Sequence, residues 1–146
     1  MILDKLLMFS EAQAVTQSAA STDIIDLGPI AGDFRDIGIG YPIELFAQVD
    51  VSATADSDAT VQIVLETART EDFANPHVLV QSDAKSLDVL TAGARITTKV
   101  PGGVQRYLRV NYVVAGGPLT AGKFTAGLVL DVDANTPYTD GLTRSS

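Results

Sequence analysis

The sequence predicts an all-β fold: an eight-stranded antiparallel jelly-roll sandwich with an extended or short-helical N-terminal arm. Short segments in which apolar and polar residues alternate recur along the chain, as expected for strands that bury one face. Turn-forming residues, glycine and proline above all, separate these segments. No segment after residue 11 shows the apolar spacing of a helix. Short strands separated by turns favour a two-sheet jelly roll, with an immunoglobulin-like sandwich as the alternative.

The predicted organisation is an N-terminal arm over residues 1–22, a sandwich over 23–133 and a C-terminal tail over 134–146. The arm begins Met-Ile-Leu-Asp-Lys-Leu-Leu-Met-Phe-Ser, which permits one or two helical turns that are marginal in isolation. We expect its apolar side chains either to fray with the terminus or to need the surface of another molecule. The tail is polar and broken by turn formers, so we expect it to be flexible or ordered by a partner.

The clearest strand pattern lies in the C-terminal third. Two segments, 107–114 and 124–133, each place apolar side chains on one face of an extended chain. These inward residues are Leu108, Val110, Tyr112 and Val114 in the first, and Phe124, Ala126, Leu128, Leu130 and Val132 in the second. Gly116, Gly117, Pro118 and Gly122 lie between the segments. This arrangement predicts an antiparallel hairpin with a long, ordered loop.

Six further strands complete the predicted sandwich. They cover residues 23–27, 43–50, 60–67, 77–81, 85–90 and 95–100. In two of them the predicted inward residues are Ile43, Leu45, Ala47 and Val49, and then Val61, Ile63 and Leu65. Phe46 falls on the outward face, where it is expected to meet a partner. Turn formers predict a loop over 28–42, and small polar residues predict another over 52–58.

Composition excludes several classes of partner. The chain has 18 acidic and 10 basic residues, a net charge of −8, so phosphate backbones and anionic lipids repel it. We therefore expect neither nucleic acid nor membrane as a partner, and no apolar run approaches the ~20 residues of a membrane helix. The start lacks the basic segment of a secretory signal. The absence of cysteine fits a protein made in the cytoplasm.

No pattern of residues indicates catalysis, a cofactor or a bound metal. The single histidine, His77, cannot supply a zinc site and has no nucleophile motif to serve. Asp131 and Asp133 share one strand face and are expected to be solvated or at a subunit edge, although a hydrolase using them is a rival interpretation. Asp56 and Asp58 could meet calcium, but further ligands are missing. Gly38-Ile-Gly40 is expected to be a turn and not a phosphate loop.

Four stretches of the chain resemble the capsid cement, or decoration, proteins of tailed phages. They are the opening sixteen residues, Leu65-Glu-Thr with Glu71-Asp72-Phe73, Arg106-Tyr-Leu-Arg-Val-Asn-Tyr, and Ala115-Gly-Gly-Pro-Leu-Thr-Ala-Gly-Lys. The resemblance extends to about Val132, and the tail past Ala134 departs from it. It implies a jelly-roll protein on the outer surface of an icosahedral head, assembled in the host bacterial cytoplasm. It further implies self-association as a dimer or trimer and binding at junctions between major capsid protein subunits.

These implications lead to a set of expected capsid or intersubunit contacts. The apolar contacts are Ile2, Leu3, Leu6, Met8, Phe9 and Phe46, and the charged contacts are Arg106 and Arg109. Since the two arginines bracket Tyr107 without further basic residues, we expect salt bridges there and not nucleic-acid binding. The rival function is a carbohydrate-binding jelly-roll module of a phage tail or enzyme. The lack of tryptophan and the 6% aromatic content argue against that rival.

Overall fold

A computed structural model describes residues 4–29 and 43–129 of the chain. The strands are β1 (Met8–Ala14), β2 (Ala19–Ala20), β3 (Ile25–Asp26), β4 (Glu44–Ala55), β5 (Thr60–Ala68), β6 (His77–Gln81), β7 (Lys85–Ser86), β8 (Arg95–Lys99), β9 (Tyr107–Ala115) and β10 (Leu119–Val129). One 3-10 turn, Lys5–Leu7, precedes β1. The predictions for residues 1–3, 30–42 and 130–146 lie outside the described residues.

The strands form two antiparallel sheets, which confirms the predicted all-β sandwich. Sheet A has the strand order β1-β10-β4-β8. Sheet B has the order β2-β9-β5-β6, and in addition β3 pairs with β9 and β7 pairs with β5. Within the described residues, no helix is long and apolar enough to cross a membrane.

The core lies between the sheets and is filled by the side chains that the alternation predicts. Leu45, Ala47 and Val49 of β4 and Val61, Ile63 and Leu65 of β5 are all buried there. From β9 and β10, the rings of Tyr112 and Phe124 meet with their centroids 5.3 Å apart. The predicted inward faces of these four strands are therefore confirmed over the described residues.

The predicted hairpin is wrong, because β9 and β10 belong to different sheets. β9 pairs with β5 over its whole length, whereas β10 pairs with β4 and β1. Only residues 116–118 connect the two strands, and Gly116 and Gly117 both have positive φ, 81° and 122°, which allows a sharp turn. Alternation shows which face of a strand is buried but not which strand lies beside it. Two consecutive strands whose apolar faces meet across a core give the same pattern as a hairpin.

The prediction of a separate arm is wrong for residues 8–20. β1 is an outer strand of sheet A, with Met8 opposite Gly127 and Ser10 opposite Ala126. β2 pairs with Tyr112 and Asn111 of β9. β1 is not recognisable in the sequence because the pairing of β1 with β10 shifts register twice. In addition, Ala12 has a φ of 47°. These irregularities interrupt the regular alternation by which a strand is recognised.

The structure has ten strands in its described part, where the sequence predicts eight. Each of the eight predicted segments contains one strand, and β1 and β2 are the additional two. β4 continues to Ala55, so the polar loop predicted from residue 52 begins later. β7 is only two residues long, because the chain turns at Leu87–Val89 before Leu90 enters the core.

Candidate interaction surfaces

The apolar residues near the N-terminus divide into exposed and buried ones. Leu6 has 82% of its surface exposed, whereas Met8 and Phe9 have 3% and 0%. Phe9 lies in the core between the sheets. Met8 and Phe9 are therefore not available to a partner, and their expected role in intersubunit contact is corrected. The two other predicted members, Ile2 and Leu3, lie outside the described residues.

Leu6 is held away from the sandwich by a capped 3-10 turn. The Asp4 carboxylate accepts a hydrogen bond from the Leu6 backbone N–H at 3.0 Å, and the Asp4 carbonyl accepts one from the Leu7 N–H at 2.9 Å. The Lys5 ammonium lies 2.8 Å from the Glu11 carboxylate, and this hydrogen bond raises the pKa of Lys5. The turn thus presents a large apolar side chain to solvent from a defined backbone.

Phe46 points away from the main core, as predicted, but it is only 1% exposed. Together with Met8 and Val129 it forms a second apolar cluster on the outer face of sheet A. Gly127 makes this packing possible, since a Cβ there would lie 2.7 Å from the Met8 sulfur and 3.2 Å from the Phe46 ring. The expected partner contact at Phe46 is corrected, because the chain's own residues cover the ring.

Arg106 binds an acidic residue of its own chain. Its guanidinium donates to both carboxylate oxygens of Asp26, over 2.8 Å and 3.1 Å, and lies 5.0 Å from the ring centre of Tyr107. Two hydrogen bonds lower the pKa of Asp26: the one from Arg106 has the larger effect, and the one from the Gly28 N–H has the smaller. The Arg106 side chain remains partly exposed, so it can still meet a partner at its outer edge.

Arg109 lies on the outer face of sheet B and is partly covered, with 23% of its side chain exposed. Its Nε donates to the buried Glu66 carboxylate at 2.8 Å, and its guanidinium lies 4.3 Å from the ring centre of Phe73. Phe73 is buried and has a φ of 50°, which is costly for an aromatic residue and is held by this stacking. Arg109 therefore fastens the 69–76 loop to the sheet, and only the exposed quarter of its side chain is left for the expected contact with another subunit.

A polar cavity that the sequence did not indicate lies at the same end of sheet B. It measures about 260 Å³ and is lined by Arg69, Thr70, Asn75, His77 and Gln105. Gln105 is only 2% exposed. Among the described residues its Oε1 is the buried side-chain polar atom without a hydrogen-bond partner. Gln105 lies outside any strand and follows a Pro-Gly-Gly turn, so neither alternation nor a motif marks it.

Other sequence-derived candidates show no clustering in the described part of the chain. Asp56 and Asp58 lie exposed at the turn between β4 and β5. No group of three or more histidine, cysteine, aspartate or glutamate residues is placed to hold a metal ion within residues 4–29 and 43–129. Asp131, Asp133 and the Gly38-Ile-Gly40 segment lie outside those ranges.

The fold and these surfaces define a two-sheet antiparallel β-sandwich with an exposed N-terminal turn and a polar cavity beside Gln105. The family model of Bbp16 matches residues 9–128 of the chain. The chain therefore belongs to the Bbp16 family. A comparison with curated proteins gave no match.

Proposed function

We propose that the chain is a capsid cement protein that binds the outer surface of a tailed-phage head and stabilises the shell. It binds at junctions between major capsid protein subunits. The observation that carries this proposal is membership of the Bbp16 family, which suggests a phage-related protein. It agrees with the resemblance to cement proteins of the opening residues and of segments 106–112 and 115–123.

The strand order supports a jelly roll as the finer description of the fold. If β2 with β3 counts as one interrupted strand and β6 with β7 as another, eight strands remain. In this numbering sheet A has the order 1-8-3-6 and sheet B has the order 2-7-4-5. A chain folded as two interleaved Greek keys produces such an order. Jelly rolls recur in viral capsid domains.

The charge of the chain supports a place on the exterior of the head. A net charge of −8 opposes contact with packaged DNA, whose phosphates carry the same sign. No such repulsion acts at an outer protein surface that presents basic or apolar residues. The proposed location is therefore the outside of the virion, after assembly in the bacterial cytoplasm.

The structure narrows the set of residues that make the contact. Leu6 is the apolar side chain presented to solvent by the N-terminal turn, and Ile2 and Leu3 precede it in the chain. Arg106 contributes the exposed edge of its guanidinium. Single exposed apolar residues are common on monomers, so Leu6 supports the proposal only together with the family membership.

Stabilisation follows from binding to the assembled shell and not to free subunits. Such a ligand stabilises the assembled state by RT ln(1 + [L]/Kd), or ~2.7 kcal/mol per site at a hundredfold excess over Kd. Self-association into a dimer or trimer would let one particle hold two or more capsid sites. The second contact is then intramolecular, so dissociation from the head becomes slow.

A binding assay on phage heads tests the proposal. Heads that have lost this protein are incubated with the purified full chain, sedimented, and heated in steps. We expect the protein to co-sediment and to raise the temperature at which the heads open. A failure to co-sediment with the depleted heads would overturn the proposed function.

A matched pair of variants tests the contact at Leu6. Leu6→Asp is expected to weaken head binding at least tenfold, and Val89→Asp is expected to leave it unchanged. Both side chains are exposed. Val89 lies at the other end of the sandwich from Leu6. The neighbouring Leu90 carbonyl accepts a hydrogen bond from the Ala53 N–H near the end of β4, whereas the cluster containing Phe46 lies near the start of that strand. Equal binding by the two variants would remove Leu6 from the contact.

The alternative function, a carbohydrate-binding module of a phage tail or enzyme, is favoured by one observation, the polar cavity beside Gln105. Under that alternative the protein binds glycans on an array and shows no affinity for depleted heads. A melting temperature that rises with calcium would also favour it, since many sugar-binding jelly rolls use that ion. The two functions are therefore separated by the same purified protein in two assays.

A further inference from the structure

We propose that β8 pairs with segment 130–133 of a second copy of this chain, so that two copies form a dimer by exchanging strands. β8 lies at one edge of sheet A: it pairs with β4 on one side, and no described strand lies on its other side. Segment 130–133, Leu-Asp-Val-Asp, directly follows β10 and lies outside the described residues. The inference rests on the self-association included in the proposed function and names its surface. It is tested on the free chain, so its failure is distinguishable from a failure of head binding.

The backbone of β8 presents a regular row of groups at this edge. β8 pairs with β4 along its whole length without a register shift. At one end, the Ala94 carbonyl accepts a hydrogen bond from the Val49 N–H at 2.9 Å. At the other end, the Val100 N–H donates to the Ile43 carbonyl at 2.9 Å. Because backbone groups alternate in direction along a strand, those of residues 95, 97 and 99 point away from β4 and can bind another strand.

The side chains of β8 give this edge a basic face and an apolar one. Arg95, Thr97 and Lys99 are exposed on the outer face of sheet A. Ile96 and Thr98 point inward and line a groove of about 250 Å³ between the edges of the two sheets. The groove is also lined by Leu45, Ala47, Ile63 and Val80. A strand added to β8 therefore meets basic groups on one face and an apolar groove on the other.

Segment 130–133 has the complementary pattern. In an extended chain, Leu130 and Val132 fall on one face, and Asp131 and Asp133 fall on the other. Residues directly opposite each other in antiparallel strands project to the same face of the sheet. When the two aspartates face the basic residues of β8, the two apolar side chains therefore lie over the groove. A shift by one residue would turn the aspartates into the groove, so this pattern also determines the register.

Charge favours β8 as the edge that a second copy binds. Two chains that each have a net charge of −8 repel each other unless opposite charges meet in the contact. β8 contains two basic residues and no acidic one, which is true of no other strand in the described part of the chain. Opposite charges that face each other across two strands stabilise the pairing. The acidic segment of a second copy is therefore attracted to this edge.

Segment 130–133 cannot pair with β8 of its own chain. Val129 at the end of β10 lies opposite Glu44, and Glu44 lies opposite Lys99 of β8. β4 thus separates the end of β10 from β8 by two strand spacings, or roughly 10 Å, which takes about three extended residues to cross. The segment would be used up in the crossing and could not also pair. The occupant of the edge is therefore the segment of another copy.

A two-fold axis makes the exchange reciprocal. β8 and β10 both run antiparallel to β4, so they run in the same direction and finish at the same end of sheet A. Half a turn about an axis perpendicular to the sheet reverses the strands of the second copy. Its continuation of β10 then lies antiparallel to β8 of the first copy, and the same rotation places the first copy's segment on β8 of the second. The contact is closed, so it produces dimers and not longer chains.

An exchange of charges tests the pairing. One variant combines Asp131→Lys with Asp133→Lys, and the other combines Arg95→Asp with Lys99→Asp. Either variant alone brings like charges together, so its dimer dissociation constant is expected to rise roughly tenfold or more above that of the native chain. In an equal mixture, both contacts join opposite charges again, and a mixed dimer is expected. Sedimentation equilibrium of the native chain, each variant and the mixture, at up to about 200 μM, provides the measurement.

Two further variants separate this contact from general effects of charge and from misfolding. Asp56→Lys with Asp58→Lys makes the same change of charge at an exposed turn and is expected to leave the dimer unchanged. Thr97→Pro removes an N–H that β4 does not use, and is expected to prevent dimerisation while the circular dichroism of the monomer is retained. A native chain that remains monomeric, or a mixture of the two charge variants that does not associate, would overturn the proposal. So would a control pair that weakens the dimer as much as the change at Asp131 and Asp133.

Discussion

At the scale of single residues, three side chains from three strands meet at the centre of the sandwich. Ser10 of β1, Tyr112 of β9 and Phe124 of β10 are all fully buried. The hydroxyl groups of Ser10 and Tyr112 lie 2.6 Å apart, and Ser10 also donates to the Phe124 carbonyl at 3.3 Å. This contact joins sheet A to sheet B and explains why a polar residue of β1 lies in the core.

Ionisation of the Tyr112 hydroxyl is expected to lower the stability of the fold at alkaline pH. Burial raises the pKa of Tyr112 to about 12, whereas a tyrosine of the unfolded chain ionises near 10. Between these values the unfolded state releases a proton that the folded state keeps, so stability falls as the pH rises. The full effect is roughly 2–3 kcal/mol.

Tyr112→Phe tests this dependence by urea unfolding at pH 8, 10, 11 and 12. At pH 8 the variant should be less stable by about 1 kcal/mol, because a buried hydrogen bond is lost. Toward pH 12 the native chain should lose stability faster than the variant, and the order of the two should reverse. Parallel curves across this range would contradict the assignment.

The burial of Phe9 makes a second prediction at the same scale. Phe9→Ala should lower the free energy of unfolding by about 3–5 kcal/mol, as expected for a core phenylalanine. Leu6→Ala, three positions earlier, should change it by less than about 0.5 kcal/mol, since Leu6 is exposed. Denaturant unfolding of both variants measures the difference. Similar small effects would mean that the segment from Met8 is an arm after all.

At the scale of elements, the connection between β9 and β10 determines how the two sheets face each other. Gly116 has positive φ, and a Cβ on it would lie 2.5 Å from the Asp58 carbonyl oxygen. Gly93 also has positive φ, but a Cβ there would meet nothing within 4 Å. The two glycines thus have similar backbone conformations and different surroundings.

Alanine substitutions at these two glycines separate conformation from close packing. Gly93→Ala should cost about 1–2 kcal/mol, the usual penalty of a left-handed residue with a side chain. Gly116→Ala should cost a further 1–3 kcal/mol or so, since the new methyl group overlaps backbone atoms. Thermal or urea unfolding of both variants provides the measurement. Equal losses would contradict the close approach of this turn to the loop before β5.

The sequence predicts which side chains of a strand are buried better than it predicts which strands pair. The inward residues of β4, β5, β9 and β10 follow from alternation alone, because side-chain direction has a period of two residues. The pairing of β9 with β5 does not follow, since it depends on contacts between distant segments. β1 is missed because bulges break its alternation, and Gln105 is missed because its importance depends on what surrounds it. The pairing of Arg109 with Glu66 and Phe73 likewise joins parts of the chain that only the fold brings together.

At the scale of the whole molecule, the sandwich buries three of its six described contact residues, Met8, Phe9 and Phe46, in its own packing. Leu6 remains accessible, as do the edge of Arg106 and, to a smaller extent, Arg109. A truncation that tests capsid binding must therefore end before Met8. If residues 1–10 formed a free arm, all ten could be removed without harm to the fold. In this structure, their removal would also take Phe9 and Ser10 out of the core.

The most direct test of the central claim is a structure of the intact phage head at side-chain resolution. The proposal predicts that the two-sheet sandwich lies on the outside of the shell and touches at least two major capsid protein subunits, with Leu6 buried in the contact. A head whose exterior carries no copy of this chain, or a chain found only within the tail or the interior, would contradict it.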